Sequence, residues 1–314
     1  MENMFAKDVD EGLSASPKWL SSQYFYDDRG SRIFQQIMAM PEYYLTNCEF
    51  EILNTRSQEI YQDIGFSGHF NVIELGPGDG AKSKEMLAGF LEAGADVTYV
   101  PIDISGKAIS LLVERLNKML PGLRVNPQIG DYFETMDKIE AQEDCPNLVL
   151  LLGSNIGNYT DAAAVDLLKH IHDHMRAGDR LLVGFDLQKN PLRIRNAYDD
   201  PHGITRDFNL NLLSRINREL GGDFKLDQFD FYCCYEPLSG ELRSYLVSLR
   251  EQLVTIESIA KKIDFQRDEL ISTELSRKYT RTEIEEMAAV AGFKFNAHYL
   301  DSKNYFSDTL FTRP

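Results

Sequence analysis

A chain of 314 residues, 43% of them hydrophobic, is long enough for one large α/β domain or two joined ones and can fill a sizeable core. Its 49 acidic against 33 basic residues leave a formal net charge of −16, which disfavours nucleic acid and anionic membrane surfaces and suits a small, partly cationic ligand. No stretch approaches the apolar length of a membrane span, and Met1–Asp8 shows no basic-then-apolar leader, so a soluble cytoplasmic protein is expected.

The first sixty residues read as helical and irregular. Aromatics crowd the turn Tyr24–Ser31, and Ile33, Phe34, Ile37 and Met38 then recur at helical spacing until Pro41-Glu42-Tyr43-Tyr44 ends the run. Another helix is expected from about Cys48 to Asp63. From about 70 to 187 strands and helices alternate. The strands end at Leu75, run from Val97 to Ile102, lie near Val125, and span Leu148–Leu152 and Arg180–Leu187; helices Lys82–Ala93, Gly106–Met119 and Asp161–Met175 separate them. That alternation predicts a parallel, doubly wound sheet with ligands at the carboxyl ends of its strands.

The run Asn71-Val72-Ile73-Glu74-Leu75-Gly76-Pro77-Gly78-Asp79-Gly80 reads as strand, tight loop and helix start, with a loop that a small cofactor can lie against. A dinucleotide loop is spaced G-x-G-x-x-G, whereas this one is G-x-G-x-G with Glu74 ahead of it. A carboxylate there repels a pyrophosphate and suits an ammonium and a sulfonium, which points to S-adenosylmethionine (SAM). Asp103 ends the next apolar run, where it can accept both ribose hydroxyls. Asp131, in Gly130-Asp131-Tyr132-Phe133, is read as ending the following strand near the adenine. The loop Gly153-Ser154-Asn155-Ile156-Gly157-Asn158 follows a buried strand, and Asn158 offers both a donor and an acceptor.

His170 and His174 share a helical face, but nothing completes a metal site around them, so no metal is expected. Cys48, Cys145, Cys233 and Cys234 have no C-x-x-C spacing and read as reduced and structural. Residues 190–280 leave the alternation. Helices Pro191–Tyr198 and Phe208–Leu220 and strands Phe229–Tyr235, Glu241–Leu249 and Leu253–Ile256 form a second lobe there. A helix Arg281–Ala291 opens from Thr280 with Glu283 at its third position, and the tail, Phe293–Leu300 and Tyr305–Thr312, reads as an antiparallel pair at the sheet edge.

Taken in order, Tyr26-Asp27-Asp28-Arg29-Gly30-Ser31, Pro41-Glu42-Tyr43-Tyr44, Glu74-Leu75-Gly76-Pro77-Gly78, Gly153–Asn158, Ala197-Tyr198-Asp199-Asp200, Phe208-Asn209-Leu210-Asn211 and Thr273-Glu274-Leu275-Ser276 resemble the histidine-specific SAM-dependent methyltransferases, which form hercynine in ergothioneine biosynthesis. The resemblance spans nearly the whole chain. It implies a class I, Rossmann-like methyltransferase sheet over 61–189 plus 281–314, and a smaller α+β substrate lobe over 1–60 plus 190–280. The family's cofactor contacts fall on Gly76, Lys82, Asp103, Asp131 and Tyr132, beside the Glu74 and Gly78 already noted. Its substrate contacts fall on Tyr43 and Tyr198 for the carboxylate, Asn158 for the α-amine, and Glu274 with Ser276 for the imidazole, with Tyr26 near the amine. Where the family has a methionine against the ring, this chain has Ser244, which widens the pocket and leaves tryptophan or tyrosine as alternative substrates. A SAM-binding protein without catalysis and a nicotinamide enzyme are the other readings, the latter disfavoured by the glycine spacing. The partner is expected to be a small amino acid, and the enzyme a monomer.

Overall fold

The chain opens with α1 (Met4–Ser14), the short β1 (Lys18–Trp19), α2 (Asp28–Met38), α3 (Tyr44–Thr55) and α4 (Ser57–Ile64). The alternating part follows as β2 (Phe70–Leu75), α5 (Ala81–Glu92), β3 (Val97–Asp103), α6 (Gly106–Met119), β4 (Arg124–Val125), β5 (Gln128–Ile129), α7 (Tyr132–Gln142), β6 (Asn147–Leu151), α8 (Asp161–Asp173) and β7 (Arg180–Asp186). Next come α9 (Pro191–Tyr198), α10 (Ile204–Leu220), β8 (Phe229–Glu236), β9 (Glu241–Ser248), β10 (Gln252–Ile256), β11 (Lys261–Phe265) and β12 (Leu270–Arg277), and the chain closes with α11 (Arg281–Val290), β13 (Lys294–Leu300) and β14 (Phe306–Thr312). This computed structural model describes residues 4–142 and 144–314, so the first three residues of the N-terminal stretch read for a leader lie outside it. Two units divide the chain, one of Met1–Tyr44 with Lys189–Ser276 and one of Leu45–Gln188 with Arg277–Pro314.

The second of these units holds a sheet of order β13-β14-β7-β6-β2-β3-β4, with β5 also on β3. β2 pairs in parallel with β3 on one side and β6 on the other, so the strand order reverses there, and β14 runs antiparallel to β7. That is the expected doubly wound α/β sheet with an antiparallel tail pair. β2 is buried at every position, as a strand covered by helices on both faces must be. Ile73, Val100, Val149 and Leu181 meet Leu168 and Ile171 of α8 and Ile284 of α11 in one core; burying each such side chain is worth about 1.5–3 kcal/mol. The expected capping box is present: the Thr280 side chain accepts the Glu283 N–H and the Glu283 carboxylate accepts the Thr280 N–H.

Three expectations in this unit are corrected. The helix Cys48–Asp63 is two helices, because the break at Arg56 brings Ser57 against Gly89 of α5, where a Cβ would stand 2.0 Å from the Ser57 hydroxyl. Both helices belong to this unit and not to the lobe of residues 1–60, since Ile52, Leu53, Ile60 and Ile64 are buried and Glu49 bonds to Gly153. Asp131 does not end a strand. Its Oδ1 accepts the N–H groups of Phe133 (2.9 Å) and Glu134 (3.2 Å), which makes it the cap of α7, a helix the sequence reading lacked.

In the other unit β1, β12, β9 and β8 form a four-stranded sheet, and β10 and β11 a separate ribbon. β9 alternates half-buried and buried positions along its length, the pattern of a strand with one face on a core. Phe208, Leu212, Leu213, Ile216 and Leu220 of α10 supply that core together with Phe229 and Leu246. The helix starts at Ile204, ahead of the expected Phe208, because Asp200 accepts the N–H groups of His202, Ile204 and Thr205 at 2.8–3.0 Å. β11 and β12 were not anticipated, and β12 carries Glu274 and Ser276.

Candidate active site

The expected site residues divide between the units. Glu74, Gly76, Gly78, Lys82, Asp103, Asp131, Tyr132 and Asn158 lie in the unit with the doubly wound sheet, and Tyr26, Tyr43, Tyr198, Ser244, Glu274 and Ser276 lie in the other.

In the first group, the loop after β2 turns through left-handed conformations at Gly76 (φ 70°) and Gly80 (φ 67°). A Cβ on Gly76 would stand 2.7 Å from the Tyr132 hydroxyl, and one on Gly80 2.1 Å from Leu112 Cδ1. Over Gly78 a Cβ would meet nothing within 4 Å, so the loop leaves an open cradle there. Burial, then the charge of Asp103, pushes the Tyr132 phenol up to about 12, so it is a neutral donor beside the loop. Asp103 ends β3 with Oδ1 accepting the Ser105 N–H at 2.8 Å. Ile104 and Ile129 stay 81% and 65% exposed, which leaves apolar surface at the same strand ends. Neither was singled out from the sequence, where a lone isoleucine after a strand looks like any other.

The charges under this loop differ from expectation. Glu74 is buried, with the Tyr99 hydroxyl donating to it and Ser83 as a second partner, so it braces the loop from below and does not stand open to a ligand. Burial raises its carboxyl above the ordinary range. Lys82 pairs with Glu49; burial pulls its ammonium down, but the charges of Glu49, Asp308 and Glu74 together hold it above the ordinary value. The loop after β6 is shaped by Ser154, itself left-handed at φ 57°, whose hydroxyl accepts the Asp186 N–H at 3.1 Å. At Gly157 a Cβ would stand 2.8 Å from the Arg277 carbonyl oxygen, and Asn158 then emerges exposed.

In the second group, aromatic rings link the expected residues. Tyr26 meets Phe34 edge-on at 5.3 Å, Phe34 meets Tyr43 at 6.2 Å, and Tyr43 meets Tyr198 at 6.0 Å. The Tyr198 hydroxyl and Ser276 Oγ are 2.9 Å apart, and Ser244 donates to Glu274 at 3.4 Å. Burial, then the charge of Glu274, raises the Tyr26 phenol above its ordinary value. All six residues are therefore brought together. Cys233 joins them from β8: it lies opposite Ser244 in register, and burial, then Asp199, pushes its thiol up to about 12. Asn209 and Thr273 lie buried nearby, with Thr273 donating at 2.7 Å.

The profile of a protein family described as histidine-specific methyltransferase, SAM-dependent, matches residues 5–313. The chain belongs to this family. It is similar to the histidine N-alpha-methyltransferase of Mycolicibacterium smegmatis, 34% identical over 98% of this chain and 94% of that protein. The enzyme of the same name from Mycobacterium tuberculosis is 34% identical over 91% of this chain and 88% of its own length. The L-tryptophan methyltransferase of Psilocybe serbica is 29% identical over 93% and 88%. The chain is thus a SAM-dependent methyltransferase, and the glycine cradle with Asp103 at the neighbouring strand end is chemically suited to that donor. Among the described residues no helix is long and apolar enough to cross a membrane.

Proposed function

We propose that this protein methylates the α-amino nitrogen of L-histidine, and does so three times to give the betaine hercynine. The observation that carries the reading is that Glu274 and Ser276 lie two residues apart on β12, Glu274 paired with Ser244 of β9 and Ser276 with Tyr198 of α9, because it sets a carboxylate and a hydroxyl where the two nitrogens of an imidazole can be read. Tyr43 and Tyr198 take the substrate carboxylate, and Asn158 orients the amine. Gly76, Gly78, Lys82, Asp103, Asp131 and Tyr132 would hold the donor, and the exposed Ile104 and Ile129 would offer apolar surface to its base. When bound, SAM supplies a methyl group on a sulfonium and leaves as S-adenosylhomocysteine.

The chain's own task is to hold an unprotonated nitrogen in line with that methyl. Each of the first two transfers forms an N–C bond and leaves an N–H proton to be lost; the third gives a quaternary nitrogen with none. A carboxamide cannot take that proton at neutral pH, so Asn158 aligns the lone pair and water removes the proton. Such a displacement requires no metal. None of the four cysteines is joined in a disulfide, in keeping with the cytoplasm, where the enzyme is proposed to act as a monomer.

Methyl-labelled SAM offered with histidine, tryptophan, tyrosine or phenylalanine tests the reading. Label is expected in trimethylated histidine. Label in tryptophan or tyrosine alone would reassign the substrate, and label in none would leave a SAM-binding protein without transfer. Asp103→Ala should weaken SAM binding by about ten- to hundredfold in calorimetry, the loss of a charged hydrogen bond of about 1.5–3 kcal/mol.

A further inference from the structure

Glu49 of α3 exposes 1% of its side chain, and both of its oxygens are engaged at the strand ends. One pairs with the Lys82 ammonium at the start of α5, and the other accepts the Gly153 N–H at 2.6 Å. The sheet leaves room for it: a Cβ on Gly184 of β7 would stand 2.3 Å from Glu49 Oε1. Asp308, opposite Gly184 in register, is fully buried with neither carboxyl oxygen hydrogen-bonded among the described residues. Burial, then the charge of Glu49, pushes it well above the ordinary carboxylate range. A buried carboxylate costs several kcal/mol of desolvation, so a side chain that merely filled this space would be apolar. Its two bonds lead instead to the two loops on which the chemistry is placed.

We propose that Glu49 is a positioning residue that joins the cofactor loop to the loop bearing Asn158. Through Lys82 it sets the cofactor side, and through the Gly153 N–H it fixes the backbone from which Asn158 emerges. The link rests on the cofactor site proposed above.

Calorimetry with SAM, and kcat at saturating SAM and histidine, on the full-length protein test it. Glu49→Gln loses the charge but keeps an acceptor for Gly153. It should raise the SAM Kd about tenfold, as loss of a charge-assisted contact does, and hold kcat within about twofold. In a Lys82→Met background the same change should move the Kd less than about twofold, because its effect runs through the lysine. Glu49→Leu drops the Gly153 bond as well and should lower kcat about tenfold. The link is overturned if Glu49→Gln binds SAM like wild type, if its effect adds in full to that of Lys82→Met, or if Glu49→Leu keeps kcat. Should Glu49→Leu not fold, the cycle of Gln and Met variants decides alone. A wild type that binds no SAM overturns the cofactor site and this link together, whereas a wild type that binds, with Glu49→Gln unaffected, overturns the link only.

Discussion

In the unit with the doubly wound sheet half of the buried polar side chains among the described residues are charged, with Glu49 against Lys82, Asp186 against Lys278 and Glu74 under Tyr99. In the other unit they are mostly neutral, with Asn209 against Thr273, Tyr198 against Ser276 and Ser244 against Glu274; Asp200 is the one carboxylate there with comparable burial among the described residues. The two styles do different work. Buried charge pairs are costly to form and more costly to break, so they fix loops in one place. Neutral donors and acceptors around a single carboxylate discriminate between ligands by whether their own hydrogen bonds are met.

The largest effect that separates the two styles is expected at Lys278, whose ammonium lies 2.8 Å from Asp186 with both side chains fully buried. Lys278→Met strands a buried carboxylate and should cost about 3–5 kcal/mol of stability in urea denaturation. Lys278→Met with Asp186→Leu should regain most of it. Thr273→Val, which strands one neutral acceptor on Asn209, should cost less, about 1–3 kcal/mol. If the two single variants lose the same amount, the contrast between charged and neutral burial carries no energy.

A smaller effect concerns substrate choice. Glu274 accepts a hydrogen bond from Ser244, where the resemblance puts a methionine, and on the function proposed above the smaller serine would leave room beyond an imidazole. Glu274→Ala removes the acceptor for a ring N–H and should reduce kcat/KM for histidine by about 1–3 kcal/mol, about five- to hundredfold, while activity on phenylalanine changes little. The ratio of kcat/KM values for histidine and phenylalanine, measured on both proteins, checks it. An unchanged ratio would mean that the carboxylate does not read the ring.

The same contrast shows what the residues alone made legible. The cofactor side is written in short-range signals: glycines at alternate positions, apolar runs ending in an acid and a Thr-x-x-Glu helix start, and each fell within a few residues of its observed place. Side-chain direction was not legible. Glu74 precedes the glycines in sequence, yet period-two geometry turns it under the loop towards Tyr99. Asp131 follows a strand of only two residues, too short to read, and its preference for capping decided its place. On the substrate side β12 is not legible because Leu270–Arg277 carries more polar than apolar residues, and its pattern has meaning only against β9. The place of Cys233 opposite Ser244 is a tertiary fact that no short-range signal carries.

Tyr26 offers the smallest effect and the finest test of how a neutral group acts here. About half of its surface is open, but its ring packs on Phe34 and Phe208, and the phenol is raised by burial and by Glu274. An ordinary phenol ionises near 10, so one held above that stays protonated through the working range. It cannot then be the base that frees the amine, though it can donate a hydrogen bond. Because the folded value is the higher one, whatever it adds to stability is fully present below pH ~10 and is lost only as pH climbs through the folded value, so variants compared between pH 6 and about 9 are compared as folded enzymes. Tyr26→Phe should therefore lower kcat/KM by about two- to tenfold, the worth of one neutral hydrogen bond of about 0.5–1.5 kcal/mol, uniformly across that range. The rising limb set by the substrate amine should keep its midpoint. If the limb instead vanishes in Tyr26→Phe, or the loss exceeds about a hundredfold, the phenol takes the proton itself, and the substrate side would rest on an ionisable group as the cofactor side does.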